Sequence, residues 1–362
     1  MSQAPSPPRV TFAVLAYNQA RFCESAVQGA LEQEYPDLEV IASDDCSTDG
    51  TFERMKALVD EYSGPHRVRT CRTAANRGIA EHINAVLDAA TGELVVLAAG
   101  DDVSEPDRTR CLADAWLRAG KPLVVYSAFS LIDEEGGPVK GSDVTPVAWL
   151  PGLGEADEKG IARLLLQNAR WELPGLYGAT ACWNREVAAR FGRLGSEVWY
   201  EDVAMTFRAL MERRIGYVDR PLVRYRRHRA SFTNLGPGME GNAGDVAAAE
   251  HALATRWKRR LGHIEQMLVD LDTGSKLGLV NAETRDEVSA ELRRIQRVTL
   301  ARACWWDASL LERVRASYPT LRKWGTAEDV AWGVRRLLPM GAFVLAKQMK
   351  ALLGQGSSTD RT

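Results

Sequence analysis

Two adjacent carboxylates, Asp101 and Asp102, follow directly on the strand pattern Glu93 to Ala98 and stand just before Pro106. Carboxylates at a strand end suit a hard divalent cation such as Mg2+ or Mn2+, which takes oxygen ligands and keeps positions open for a substrate's phosphates. The same residues also make an ordinary helix-opening turn, because Asp caps helices and Pro suits the first helical turn. A second polar segment, Asp44-Asp45-Cys46-Ser47-Thr48-Asp49-Gly50-Thr51, closes the run Val40-Ile41-Ala42-Ser43. Its acids and hydroxyls can accept the imide N–H of a uracil and the hydroxyls of a ribose, or simply cap the next helix. A third, Tyr17-Asn18-Gln19, follows the run Val10 to Ala16.

The elements that must position these groups read as strand–helix units around a mostly parallel sheet, an α/β fold. Strands are expected at Val10 to Ala16, Leu38 to Ser43, Val68 to Arg72, Glu93 to Ala98 and Leu123 to Phe129. Helices are expected at Ala20 to Glu34, Thr51 to Tyr62, Ile79 to Ala89 and Asp107 to Ala119. Ligands of open parallel sheets sit beyond the carboxyl ends of the strands, so the three polar loops should converge on one crevice. Ile132 to Glu158, rich in Gly, Pro, Asp and Glu, reads as a long functional loop. Beyond it a strand is expected over Gly175 to Trp183, a helix over Glu201 to Arg213 and a strand over Ile215 to Tyr225.

Composition narrows the class. The 362 residues are 45% hydrophobic, ample for a packed core, and the formal net charge of -2 argues against nucleic acid as a bulk electrostatic partner. Six cysteines are scattered without a Cys-x-x-Cys pair, so neither a zinc site nor a disulfide framework is indicated, and reduced thiols of a cytoplasmic protein are expected. Residues 1–8 read as a disordered lead-in rather than a secretory signal. No run reaches the roughly 18 to 20 apolar residues that a membrane-spanning helix needs.

The motifs in order are Ala16-Tyr17-Asn18, Asp44-Asp45-x-Ser47-Thr48-Asp49-Gly50-Thr51, Asn76-x-Gly78, Asp101-Asp102-x-x-x-Pro106, Tyr200-Glu201-Asp202 and Tyr225-Arg226-x-His228. Together they resemble family 2 glycosyltransferases, inverting enzymes of GT-A fold. The resemblance covers residues 9–234, leaving 235–362 as a helical C-terminal region. It implies a nucleotide-sugar donor, with a UDP sugar expected, and a divalent metal. It assigns Asp44 and Asp45 to the nucleoside, and Asp101 and Asp102 to metal, ribose and diphosphate. Arg226 and His228 go to the diphosphate or metal, and Ala16, Tyr17, Asn18, Asn76 and Gly78 to the donor. Asp202 becomes the general base with Glu201 supporting it, which agrees with inverting transfer, where one carboxylate takes the acceptor hydroxyl's proton. Two positions depart from the pattern. Ala99-Gly100-Asp101-Asp102 lacks the first acid of the common Asp-x-Asp-Asp, and Ala16 stands where proline is common.

Trp171, Tyr177, Trp183, Trp199 and Tyr200 gather near the acceptor side, with Trp199 and Tyr200, beside the base, expected to meet a glycan or lipid-linked acceptor. The implied role is bacterial surface polysaccharide or glycan assembly. Two rivals stand beside it. A sugar nucleotidyltransferase would want a glycine-rich loop where this chain has Ala16-Tyr17-Asn18-Gln19-Ala20-Arg21. A non-catalytic nucleotide-sugar-binding or scaffold protein fits the missing acid but not the retention of Asp202.

After a Gly-rich break at Leu235 to Asp245, Trp257, Leu261, Ile264, Leu268 and Leu271 fall at helical spacing, as do Val288, Leu292 and Ile295, with a turn expected at Thr273-Gly274-Ser275. The seam serves either packing on the first domain or a homodimer. From Leu310 to Gly354 a basic amphipathic profile suits peripheral contact with an anionic membrane, at its inner face, as well as ordinary packing.

Overall fold

The computed structural model describes residues 7–139, 153–173, 176–228 and 246–304, with only the backbone for 246–252. The tail from Leu310 to Gly354, most of residues 1–8, and the Gly-rich break at Leu235 to Asp245 lie outside the described residues. Pro8, assigned from sequence to the lead-in, is buried, and its carbonyl accepts a hydrogen bond from the Tyr35 hydroxyl at 2.7 Å.

Four parallel strands build one half of the sheet: β1 (Val10–Ala16), β2 (Leu38–Asp44), β3 (Arg67–Arg72) and β4 (Leu94–Ala99). Both faces of β1 and β2 are covered, so their side chains are buried throughout with no alternation, as expected of strands between two helical layers. The edge strand β3 carries Arg67, Arg69 and Arg72, charges that discourage further pairing. Between these strands run α1 (Cys23–Leu31), α2 (Thr51–Glu61) and α3 (Ile79–Ala89). The first helix is shorter than sequence predicts, because Gln19 to Phe22 turn first, with the Phe22 N–H donating to the Gln19 carbonyl.

The other half comprises β5 (Val103–Ser104), β6 (Val124–Ile132), β7 (Ala181–Asn184) and β8 (Gly216–Arg226), giving the order β3-β2-β1-β4-β7-β6-β8-β5. Here β7 lies antiparallel to β4 and β6, and β8 runs parallel to β6 but antiparallel to β5. The expected strand over Gly175 to Trp183 is corrected: Gly178–Thr180 form a 3-10 turn and only Ala181–Asn184 pair. Trp183, in that strand, is fully buried and belongs to the core rather than to an acceptor surface. Helices α4 (Arg108–Arg118), α5 (Glu158–Ala169), α6 (Val187–Phe191) and α7 (Glu201–Met211) complete this part.

Two long helices follow, α8 (Val246–Lys276) and α9 (Ala282–Ala303). Thr273-Gly274-Ser275 is not the turn between them. Gly274 lies within α8, where its missing side chain leaves room for Met211, a β-carbon there falling 2.5 Å from the sulfur, and the chain turns instead at Gly278, whose φ is +72°. Among the described residues no helix is long and apolar enough to cross a membrane.

The chain divides into two compact units, Met1–Ser231 with Gln266–Val288, and Phe232–Glu265 with Ser289–Thr362. In the first, Arg208 of α7 and Asp270 of α8 form a fully buried bidentate ion pair at 2.8 and 2.9 Å, with Gln266 donating to Asp270. In the second, the Arg302 guanidinium lies 4.5 Å from the centre of the Trp257 ring and ties α9 to α8.

Candidate active site

The strand ends bring the three polar loops together. The Asn18 N–H donates to Ser47 Oγ at 2.8 Å, and the Asn18 side-chain oxygen accepts from the Thr48 N–H at 2.9 Å. Asn18 holds this with φ +50°, a left-handed conformation that Asn tolerates. The Ala16 carbonyl accepts from the Asp45 N–H, and Gly100 lies so close to Ala16 and Gln19 that a β-carbon would reach 2.8 Å and 2.5 Å from them. Tyr17 projects from this junction and is exposed.

Asp44 and Asp45 are both buried but differ in what they have left to offer. Asp45 accepts from Thr73 Oγ1 and from the Arg77 and Gly78 N–H groups, so its carboxylate shapes the turn Asn76-Arg77-Gly78. Asn76 closes the same turn by accepting from Gly78 at 3.0 Å, and Gly78 faces open space with φ +78°. Asp44 accepts from the Ser47 N–H and lies 3.2 Å from Arg72 through one oxygen, while its Oδ1 is buried without a hydrogen-bond partner. A buried bare carboxylate oxygen at a strand end is costly unless a ligand donor meets it.

At the neighbouring strand end, Asp101 Oδ2 lies 2.9 Å from His228 Nε2. The His228 ring rests against Phe22 at 4.6 Å between centres, and the Arg226 guanidinium covers the same Phe22 ring at 5.0 Å. Arg226 donates through Nε to the Asp101 carbonyl and through Nη1 to the carbonyls of Asp133 and Glu134, while its backbone N–H donates to Asp102 Oδ1. Asp102 Oδ2 is buried without a hydrogen-bond partner; burial, and then the nearby Asp101 charge, hold this carboxyl well above the usual carboxylate range. Among the described residues no group of three His, Cys, Asp or Glu side chains converges on a metal position. What the residues present could offer a divalent cation is one carboxylate, of Asp101, and one imidazole, of His228.

A second carboxylate pair, Glu201 and Asp202, opens α7. Both are half-buried. Asp202 accepts from the Val203 N–H at 2.8 Å and from the Gly178 N–H at 3.4 Å. Burial pushes Asp202 up to about 6, and burial together with the Asp202 charge pushes Glu201 up to about 8. The Glu201 carboxyl fills the space that a side chain at 178 would need: a β-carbon there would lie 1.8 Å from its Oε1. Trp199 is exposed beside the pair, and Tyr200 meets Trp171 edge to face at 5.3 Å.

Arg108, which no sequence motif marks, links the two carboxylate sites. It is fully buried at the start of α4, donating to Ser104 Oγ, to the Leu97 carbonyl of β4 and to the Ala179 carbonyl. The turn holding Asp202 is thereby fastened to the strand that ends at Asp101 and Asp102. Gly178 and Arg108 are the positions at this candidate site that no sequence motif marks.

A mixed sheet of this order with carboxylates at the ends of β2 and β4 defines a GT-A fold. TarS of S. aureus, crystallised with UDP, superposes with a TM-score of 0.53 at 16% identity, over 94% of this chain and 88% of that one. The family model described as glycosyl transferase family 2 matches residues 11–191, and the chain belongs to that family. Succinoglycan biosynthesis protein ExoO of Rhizobium meliloti is 34% identical over 146 residues, 40% of this chain and 40% of that protein. EpsE of Bacillus subtilis is 31% identical over 148 residues, 41% of this chain and 52% of that protein. The matched segment thus spans about half or less of these curated relatives.

Proposed function

We propose that this chain transfers a sugar, with inversion, from a nucleoside diphosphate sugar to a hydroxyl of a glycan or lipid-linked acceptor. The observation that carries the reading is the pairing of two carboxylate sites through Arg108, one suited to a diphosphate and its cation and the other to a proton. Family membership and the word biosynthesis in the name of ExoO support a role in polysaccharide assembly.

Asp44, with one bare oxygen, accepts an N–H or O–H of the nucleoside, UDP being the expected carrier. Asp101 and His228 would hold a divalent cation, Mg2+ or Mn2+, whose charge favours departure of the diphosphate when bound. Asp202 takes the proton from the acceptor hydroxyl as its oxygen attacks the anomeric carbon. The bond from that carbon to the diphosphate oxygen breaks on the opposite face, which inverts the configuration and needs no covalent enzyme intermediate. With its pKa raised, Glu201 keeps its proton at neutral pH and can donate a hydrogen bond beside the ionised base.

The test incubates purified protein with a panel of nucleotide sugars, with and without Mn2+, following nucleoside diphosphate release. Asp202→Asn is expected to lower transfer by about a hundredfold or more while sparing donor binding. Near-normal turnover in that variant would remove Asp202 from the role.

A further inference from the structure

A buried asparagine in the middle of a helix is poorly matched to its place, since it is a weak helix former and an apolar residue would pack there without needing partners. Asn84 of α3 is such a residue. Its side-chain N–H donates to the Leu194 carbonyl at 2.8 Å, and its Oδ1 accepts from the Leu194 N–H at 3.0 Å. One side chain thus takes both backbone groups of a residue 110 positions further along the chain, which fixes that residue in place and in rotation.

Leu194 needs such a hold. It stands between Gly192, whose φ is +81°, and Gly195, so its own backbone leaves the segment free to swing. The Gly195 N–H donates to Gln266 Oε1 of α8 at 2.8 Å, and the Val198 N–H donates to the Gly195 carbonyl at 3.0 Å. The segment held in this way runs directly into Glu201 and Asp202 at the start of α7.

The other side of α3 belongs to the donor end. Its opening turn is shaped by Asp45 through the Arg77 and Gly78 N–H groups, and the buried His82 lies, by Nε2, 2.7 Å from Ser43 Oγ, just before Asp44 on β2. At 3.6 residues per turn His82 and Asn84 stand about 200° apart around the helix axis. One therefore seats α3 on β2 while the other grips the approach to α7.

We propose that Asn84 is a positioning residue: by holding Leu194 it sets Asp202 at a fixed place relative to the nucleoside end of the site, with α3 as the strut between them. This rests on the transferase reading above, with Asp202 as its base, and adds a residue that acts through Asp202.

Hydrolysis of a nucleotide sugar, with water in place of the acceptor hydroxyl, reads the base without an identified acceptor. The probe is whichever of UDP-glucose, UDP-galactose, UDP-N-acetylglucosamine and GDP-mannose the full-length wild type hydrolyses fastest, followed by release of the nucleoside diphosphate. Asn84→Leu keeps the side-chain volume and strips Leu194 of both hydrogen bonds. It is expected to lower kcat by about tenfold or more while the donor KM, and the affinity for the free nucleoside diphosphate by calorimetry, stay within about twofold of wild type. Asn84→Asp, which keeps an acceptor for the Leu194 N–H and loses only the donor, carries the same comparison at smaller cost to folding and should lower kcat by about threefold or more. Thr11→Val is the reference for stability alone. It removes a buried hydroxyl that donates to Glu39 at 2.7 Å and accepts from the Gly92 N–H at 2.9 Å, at the strand ends opposite the site, and should keep kcat within about twofold. With enzyme in excess over donor, so that slow release can be followed, either Asn84 variant placed on Asp202→Asn should add less than about twofold, because a residue that acts through the base has nothing left to position. A kcat within about twofold of wild type in both Asn84 variants, a loss shared equally by Thr11→Val, a weakened donor affinity that accounts for the loss, or a full further loss on Asp202→Asn would each overturn the positioning role alone. Near-normal hydrolysis by Asp202→Asn itself removes the base and the positioning role together, and no release by wild type from any of the four sugars removes the transferase reading with them.

Discussion

Replacing Gly178 with alanine isolates the geometry of the carboxylate pair from the stability of the fold. Gly178 does not occupy the left-handed region, so alanine meets no backbone penalty. Its β-carbon would lie 1.8 Å from Glu201 Oε1 and 2.9 Å from Glu201 Cδ, against 3.4 Å for ordinary contact. The carboxyl must therefore retreat by about 1.5 Å, a distance set by van der Waals packing. Because the clash falls on the tip of a flexible side chain, the fold absorbs it for about 1 kcal/mol, the low end of overpacking costs. Chemistry does not absorb it, since a misplacement of about 1 Å at reacting groups costs on the order of a hundredfold. Gly178→Ala should lower kcat for transfer by roughly that factor. The UDP affinity measured by calorimetry, and the melting temperature, should stay near those of wild type. Glu201→Asp in the same chain draws the carboxyl back by one methylene and should recover part of the loss. A kcat within about threefold of wild type would refute the claim that Glu201 needs this space for function.

Three further outcomes follow from the same geometry. Glu201 binds its proton more tightly in the folded chain, so its contribution to stability is complete below 4.5 and is lost as pH rises through about 8. Melting temperatures should fall across that window and fall less in Glu201→Gln; parallel curves would contradict the assignment. Chelation with EDTA should stop transfer and weaken UDP binding, and unchanged affinity would leave charge neutralisation to Arg226 and His228. Asp270→Ala should cost about 3 to 5 kcal/mol in urea unfolding, because it strands the buried Arg208 charge, whereas Arg208→Met with Asp270→Leu should recover most of it.

The parallel half of the sheet was legible because β1, β2 and β4 are predominantly apolar runs that end in polar loops, a pattern carried by local sequence. The two-residue strand β5 offers no such pattern and exists only through pairing with β8. Gly274 misled for a physical reason: glycine marks both turns and close packing, and here the Met211 sulfur explains it. The carboxylates were legible as motifs, but their supports were not. Arg108 acts on a carbonyl 71 residues away, and the small size of Gly178 has meaning only once Glu201 is folded beside it. Trp183, grouped by sequence with the exposed aromatics, is buried because its strand pairs with both β4 and β6.

The ion pair between Arg208 and Asp270 also orders events in time. A ribosome delivers Arg208 well before Asp270, at roughly 5 to 20 residues per second, so for several seconds the helix that begins with Glu201 and Asp202 lacks its counter-charge. During that interval a guanidinium destined for a fully buried position keeps α7 from settling, because it cannot be desolvated alone. A nascent chain ending at residue 234 would thus hold the loops after β1, β2 and β4 complete while the helix carrying Glu201 and Asp202 stays unsettled until α8 has been made.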